Sequence, residues 1–256
     1  MKELVKFVKG GASLTQDKKG ALETMAGRLG ISSFTTPTQS NIRRIALVFD
    51  ATGSMSGIWR AAKAGIVKLL KRQRELNPQA AFVMIAYRDY CDGNRILEVS
   101  KPSTNEGEIL EFLDGIVCDG GGDTPEAVEA ALERVIGIHP DLAILVGDAP
   151  PHGVSDRIQK GDYREYARTL GTQHIPVYTV TTNTDRDTVS SFQEIAELSG
   201  GKRSHLNDVS DLIDVLSMAT ARKADQLDQL SKLLERENRG RLTKKQEILL
   251  LEARRQ

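Results

Sequence analysis

The 256-residue chain has few of the features that mark specialised protein classes. It contains two cysteines, Cys91 and Cys118, too few for a disulfide framework or a cysteine-based zinc site. Aromatic residues make up only 5%, which disfavours a stacking surface for single-stranded nucleic acid. No apolar run approaches the roughly 18 residues of a membrane span, and residues 1–13 lack the apolar stretch of a secretory signal. We therefore expect a cytoplasmic protein with reduced thiols that binds neither membranes nor nucleic acid.

The formal net charge is zero, but positive and negative residues are unevenly distributed. Residues 1–44 carry eight Lys and Arg against three Asp and Glu, and residues 222–256 carry ten against six. Residues 45–221 carry 17 against 26 and are therefore acidic. We expect one acidic domain over 42–221, with a basic helical extension at each end, over 1–41 and 222–256. Solvated helix surfaces are the simpler interpretation of the basic ends.

Short apolar runs alternate with stretches of helical periodicity in the central region. Strands are predicted at 45–50, 81–87, 95–99, 142–147, 175–181 and 203–206. Helices are predicted at 58–75, 106–117, 125–136, 155–170, 187–198, 209–236 and 242–254. The second and third strands are joined by a short turn and predict a hairpin. This order predicts a Rossmann-like, doubly wound α/β fold, with a mostly parallel six-stranded sheet, one antiparallel edge strand and helices on both faces.

Hydroxyl and carboxyl side chains gather where the predicted strands end. One loop reads DATGS from Asp50, a second reads GGGDTPEA from Gly120, and a third reads GDAPPHG from Gly147. Sheets of this type bind ligands at the carboxyl ends of their strands. A small set of hard oxygen donors suits Mg²⁺ or Mn²⁺. The predicted ligands of one divalent cation are Asp50, Thr52, Ser54, Thr124 and Asp148.

Together the three loops resemble those of von Willebrand factor A domains. The motif D-x-T-x-S, a threonine in a glycine-rich loop and G-D-A-P after a strand match the metal-ion-dependent adhesion site of that family. Thr52 stands where the family usually has serine, and it keeps the hydroxyl. The motifs GGGDTPEA, AYRDY and GDAPPHG are most similar to those of intracellular A domains joined to alpha-kinases and of the A domain of hemicentin-like proteins. The resemblance covers about 44–220.

The resemblance implies a protein-binding module rather than an enzyme. In this family the cation captures a Glu or Asp of the partner protein. The resemblance implies partners such as MoxR-type AAA+ ATPases, kinases and other signalling proteins. Two alternatives stay open: a metal site that only stabilises the fold, and a metal-dependent phosphohydrolase. A phosphatase with Asp50 as nucleophile needs a second carboxylate two residues later, where this chain has Thr52.

Three residues close to these loops have two interpretations each. Asp89 either holds a water at the cation or forms an ion pair with Arg88 or another base. Asp123 either adds negative potential or a second weak cation site, or has no part in binding. His152 is either bonded to the backbone of its loop or touches the bound partner.

The C-terminal residues 222–256 keep a narrow apolar stripe among charged residues. The run Ile248–Leu251 is too apolar for a tail that packs on nothing. One interpretation is a helical docking element for a partner or for a second copy of the chain. The other is a helical hairpin that folds onto its own domain.

Overall fold

A computed structural model describes residues 42–122, 124–153, 161–205 and 209–254. Its strands are β1 (Arg44–Asp50), β2 (Ala81–Tyr87), β3 (Leu97–Val99), β4 (Leu142–Gly147), β5 (Val177–Thr181) and β6 (Arg203–His205). They form one sheet in the order β3-β2-β1-β4-β5-β6. β3 is antiparallel to β2, and the other neighbouring pairs are parallel. The predicted sheet, with one antiparallel edge strand, is confirmed.

Eight α-helices surround the sheet within the described ranges. They are α1 (Ser56–Leu76), α2 (Glu106–Gly115), α3 (Val128–Ile138), α4 (Tyr163–Thr172), α5 (Arg186–Ser199), α6 (Val209–Lys223), α7 (Leu227–Glu237) and α8 (Lys244–Arg254). Polar residues cap several of them. Asn105 accepts a hydrogen bond from the Gly107 amide at 2.8 Å, and Asp185 accepts one from the Thr188 amide at 2.9 Å. Such caps satisfy amide groups that the first helical turn leaves unpaired.

Successive residues of β1 point to opposite faces of the sheet, as expected for a strand. Leu47 and Phe49 pack against α1, α2 and α6 in one buried apolar cluster, which includes Trp59. Ala46 and Val48 pack against α3, α4 and α5 in a second cluster. The sheet is therefore covered by helices on both faces, as predicted.

Three helices begin later than their periodicity predicts, and one of them is α8, which begins at Lys244 instead of residue 242. α3 begins at Val128 instead of residue 125, because Glu126 forms a bridge with Pro151 and its amide donates to the Pro150 carbonyl at 2.9 Å. α4 begins at Tyr163 after the cap Asp162, whose side chain accepts from the Arg164 amide. The predicted helical residues 155–160 lie outside the described residues, as do the predicted extension 1–41 and strand residue 206.

The predicted long helix over 209–236 is wrong, because the chain breaks between α6 and α7. Asp225 adopts a left-handed backbone with φ of 56°. The next residue, Gln226, is buried and donates to the Leu76 carbonyl at 3.0 Å, while its side-chain oxygen accepts from Asn77 at 2.7 Å. These bonds attach the break to the end of α1. α7 therefore turns back across the domain instead of leaving it.

The C-terminal helices pack on the domain itself. Leu230 and Leu234 of α7 and Leu250 of α8 are buried in a cluster with residues of α6. The guanidinium of Arg72 in α1 is 2% exposed and binds Asp214 of α6 and Glu237 of α7. Of the two interpretations of the tail, the structure therefore has the helical hairpin folded onto its own domain. Within the described ranges, no helix is both long enough and apolar enough to cross a membrane.

Candidate metal site

The two acids predicted at strand ends lie on neighbouring strands. Asp50 is the last residue of β1, and Asp148 directly follows β4, which pairs with β1 in parallel. After β1 the chain adds β2 and β3 on one side of the sheet, and then returns to add β4 on the other. Loops separate at such a reversal of strand order and leave a crevice, which is where open α/β sheets bind ligands.

Four of the five predicted ligands form one continuous chain of short contacts. The Thr52 hydroxyl donates to Asp50 Oδ1 at 2.6 Å, and the Ser54 hydroxyl donates to Asp148 Oδ1 at 3.1 Å. Between these two bonds, Thr52 Oγ1 and Ser54 Oγ lie 3.1 Å apart. The chain therefore joins the loop after β1 to the loop after β4.

The row of contacts from Asp50 to Asp148 has one hydrogen too few for its three hydrogen bonds when both carboxylates are ionised. A hydroxyl has one hydrogen to donate, and an ionised carboxylate only accepts. Thr52 and Ser54 supply two hydrogens for three contacts. If both hydroxyls donate outward to the acids, their own oxygens face each other with lone pairs only. A cation bound by those lone pairs removes the deficit, and so does a proton on one of the acids.

Asp50 is buried and only half satisfied. Its Oδ1 accepts from the Thr52 amide at 2.9 Å and from the Thr52 hydroxyl, whereas its Oδ2 has no hydrogen-bond partner in the part of the chain that the structure describes. Burial raises the pKa of Asp50 from 3.8 to about 7; the Thr52 bonds oppose this rise, and the nearby Asp148 adds to it. A buried carboxylate oxygen without a partner is costly unless a proton or a cation satisfies it.

The glycine-rich loop packs directly on the loop after β1. The Gly53 amide donates to the Gly120 carbonyl at 3.3 Å. Gly120 and Gly121 have φ values of 79° and 78°, which side chains rarely tolerate. A Cβ on Gly121 would lie 2.9 Å from Glu126 Oε1 and 3.3 Å from Thr52 Cβ. The expected close backbone approach at these glycines is therefore present.

The fifth predicted ligand, Thr124, takes no part in this row of contacts. It is exposed. Its hydroxyl forms no hydrogen bond within the described part of the chain. Its neighbour Asp123 lies outside the described residues.

Asp89 and His152 form one buried pair. His152 Nε2 lies 2.7 Å from Asp89 Oδ1, and both side chains are 2% exposed. Asp89 therefore pairs with a base, but the base is not Arg88, which binds Glu98 at 2.6 Å. His152 is enclosed by the protein, so it is not placed on the surface that a partner would touch. Burial opposes ionisation of Asp89, but the bonds from His152, Cys91 and the Tyr90 backbone together outweigh it and lower the pKa of Asp89.

One acid at the site was missed by the sequence reasoning. Glu126 is 4% exposed, and among the described residues its Oε2 has no hydrogen-bond partner. Burial raises its pKa to about 9, and the charges of Asp50, Asp89, Asp92 and Asp148 add to the effect. Helical periodicity predicts Glu126 on the first turn of a helix. Only its contact with Gly121 indicates a place beside Thr52.

The donor set agrees with a hard, oxygen-loving cation. Within the described ranges, no group of three or more His, Cys, Asp or Glu side chains is arranged to hold a metal directly. A cation here would instead be bound by two carboxylates and the hydroxyls between them. Mg²⁺ suits such a site, because it commonly binds one or two carboxylates and keeps several waters. The unpartnered Oδ2 of Asp50 and the missing hydrogen both fit a bound cation.

A family model described as von Willebrand factor A domain matches residues 44–208. The chain belongs to this family. A curated protein of Acanthamoeba polyphaga mimivirus, described as ariadne-like RING finger protein R811, is 28% identical over 185 residues. The match covers 65% of this chain and 18% of the viral protein, so the chain spans less than a fifth of the length of this relative.

Solved structures share the fold of this A domain at low sequence identity. BatB from Bacteroides thetaiotaomicron is 14% identical with a TM-score of 0.55, covering 71% of this chain and 98% of BatB. The SpRpn10 VWA domain is 11% identical with a TM-score of 0.50, covering 68% and 94%. The pilus adhesin SpaC from Lactobacillus rhamnosus GG is 14% identical with a TM-score of 0.53, covering 73% and 30%. At these identities the likeness concerns the fold alone.

Proposed function

We propose that this A domain binds a protein partner through a divalent cation, Mg²⁺ or Mn²⁺. A domains are in general protein-interaction modules. The observation that carries the proposal is the chain from Asp50 through Thr52 and Ser54 to Asp148, which has three contacts and two hydrogens. A cation bound by the lone pairs of the two hydroxyl oxygens would take the place of the missing hydrogen. Asp50, Thr52, Ser54 and Asp148 would hold it, with Thr124 on the solvent side.

The arrangement supports capture of an acidic residue from outside. Ser54 and Thr124 are exposed, Asp148 is half-buried, and Asp50 and Thr52 are buried, so the predicted donors line a path from the core to the surface. The cation would supply positive charge for a Glu or Asp of the partner. The protein residues hold it in place and leave its outer side to solvent or to the partner.

We further propose that the domain has no catalytic turnover. Thr52 occupies the position where a phosphatase of the competing type needs an acid, and its hydroxyl is bound to Asp50. A proton carrier is therefore lacking where the leaving group would need one. The partner classes implied by the sequence resemblance, MoxR-type ATPases, kinases and signalling proteins, stay part of the proposal, as does a cytoplasmic location.

Calorimetry with Mg²⁺ and with Mn²⁺ tests the cation. Wild-type protein should bind one ion, and Asp50→Ala and Asp148→Ala should abolish binding. Asp114→Ala is the control, because Asp114 is an exposed acid paired with Lys63 away from the site. Wild-type affinity in both site variants would overturn the assignment.

Partner capture is tested separately from cation binding. Co-purification should recover a protein with Mg²⁺ present, and should lose it with chelator or in Asp148→Ala. If Mg²⁺ binds but every associated protein is retained in chelator, the metal only stabilises the fold. Sustained phosphoester hydrolysis that disappears in Asp50→Ala would instead favour the enzyme alternative.

A further inference from the structure

Glu126 is held close to the proposed metal site by its backbone. Its amide donates to the Pro150 carbonyl at 2.9 Å, and the following amide of Ala127 donates to the Arg88 carbonyl at 3.0 Å. Glu126 also bridges to Pro151 in the loop that carries Asp148. The same residue is therefore attached to the loop after β4 and to the chain after β2. Its position does not depend on side-chain contacts alone.

The side chain of Glu126 faces the same point as Thr52. A Cβ on Gly121 would lie 2.9 Å from Glu126 Oε1 and 3.3 Å from Thr52 Cβ. Glycine at 121 thus keeps clear a position that both the Glu126 carboxylate and the Thr52 side chain approach. The side chain is 4% exposed, and Oε2 has no partner among the described residues. A buried acid of this kind is retained at a cost unless something satisfies it.

We propose that Glu126 is a third carboxylate of the cation site and acts through water bound to the cation. The proposal rests on the proposed function, because it requires the cation. Direct coordination is not suggested, since no three acidic side chains within the described ranges converge on one point. Mg²⁺ keeps several waters in protein sites, and these waters need acceptors. Glu126 approaches from the buried side, which leaves the exposed side near Ser54 to the partner.

The neighbouring buried acid Glu129 provides a matched control for Glu126. Both are buried, and they lie just before and at the start of α3. The Glu126 carboxylate approaches the position at Gly121 that the Thr52 side chain also approaches, whereas the Glu129 carboxylate bonds to the Tyr90 side chain. Of these two acids, Glu126 is therefore the one placed beside a proposed ligand.

The test compares Mg²⁺ binding and metal-free thermal stability in Glu126→Gln and Glu129→Gln. Glu126→Gln should weaken Mg²⁺ binding by about tenfold, the lower end of the effect of residues that support metal ligands. It should also raise the melting temperature in chelator, because it removes one of several crowded acids. Glu129→Gln should leave the Mg²⁺ affinity within about threefold of wild type. Glu126→Asp, which keeps the charge and shortens the reach, should fall between wild type and Glu126→Gln.

The outcomes separate this inference from the proposed function. If wild type binds Mg²⁺, Asp148→Ala does not, and Glu126→Gln binds like wild type, the role of Glu126 is wrong and the cation site stands. If Glu126→Gln and Glu129→Gln lose affinity equally and both lower the metal-free melting temperature, Glu126 is only a packing residue. If wild type binds neither Mg²⁺ nor Mn²⁺, the proposed function and this inference both fail.

Discussion

Asp89 and His152 meet at 2.7 Å below the proposed metal site, although 63 residues separate them in sequence. The pair joins the end of β2 to the loop that carries Asp148. The Tyr90 ring lies beside the His152 ring, with centroids 5.3 Å apart. Both side chains are almost fully buried, so removing one leaves the other as a buried polar group without its partner.

We expect the Asp89–His152 pair to stabilise the fold without binding the cation. Asp89→Asn and His152→Ala should each lower the free energy of unfolding by about 1–3 kcal/mol, because each leaves a buried polar partner unsatisfied. The double variant should cost less than the two single costs together, as coupled neighbours do. Chemical denaturation measures the energies and calorimetry the Mg²⁺ affinity. A tenfold loss of Mg²⁺ affinity in a variant that remains fully folded would place the pair in the metal site instead.

The metal-free protein should lose stability as pH rises between the ordinary and the raised pKa values of two buried acids. Burial raises the pKa of Asp50 from 3.8 to about 7 and that of Glu126 from 4.5 to about 9. The folded chain therefore holds protons that the unfolded chain has released, and stability falls with pH across this window. From pH 5.5 to 8.5 in chelator, we expect the melting temperature to fall by roughly 5 °C or more.

Saturating Mg²⁺ should reduce this fall in melting temperature, because the cation replaces the proton as the partner of the acids. Asp50→Asn in chelator should also show a smaller fall than wild type. Differential scanning calorimetry at several pH values measures both effects. A wild-type melting temperature in chelator that stays constant or rises between pH 5.5 and 8.5 would contradict the prediction.

Gly121 should not tolerate a side chain. Its φ of 78° disfavours any Cβ, and the added atom would lie 2.9 Å from Glu126 Oε1. Gly121→Ala should cost about 1–3 kcal/mol of unfolding free energy from backbone strain and should weaken Mg²⁺ binding. Gly137→Ala is the control, since its Cβ would meet nothing within 4 Å. Because Gly137 lies in α3, the control should be neutral or stabilising by up to about 1 kcal/mol. Equal stability of the two variants would refute this account of the glycine-rich loop.

Arg72 should be the most sensitive charged residue of the C-terminal packing. Its guanidinium lies 2.7 Å from Asp214 and 2.8 Å from Glu237, which are 16% and 27% exposed. Arg72→Ala should lower the free energy of unfolding by about 3 kcal/mol, since removing one member of a buried pair leaves the other uncompensated. Arg236→Ala, which breaks a surface pair with Glu75, should cost no more than about 1 kcal/mol. Urea denaturation of both variants decides the matter, and similar losses would show that α7 is not anchored through Arg72.

Much of the fold could be predicted because it depends on local pattern. Short, nearly continuous apolar runs indicate strands buried on both faces, and their alternation with helices requires a parallel sheet. The contacts of Asp50 with Thr52, two residues away, follow from one tight turn after β1. The approach of Ser54 to Asp148, 94 residues away, was expected because loops that follow parallel strands gather at one edge of the sheet, and the resemblance of the three loops agrees with it.

The tertiary structure alone decided the contacts that depend on strand order and on helix docking. Asp89 and His152 come together because the chains leaving β2 and β4 meet at one sheet edge, and no local periodicity contains that information. Helical periodicity predicts Glu126 on the first turn of a helix, whereas in the structure it precedes the helix and bridges to Pro151 in the loop that carries Asp148. The turn at Asp225 likewise interrupts a run that is helical by pattern, because Gln226 gains buried partners only on α1. Side-chain spacing records neighbours within a few residues, while burial and charge pairing depend on segments that only folding brings together.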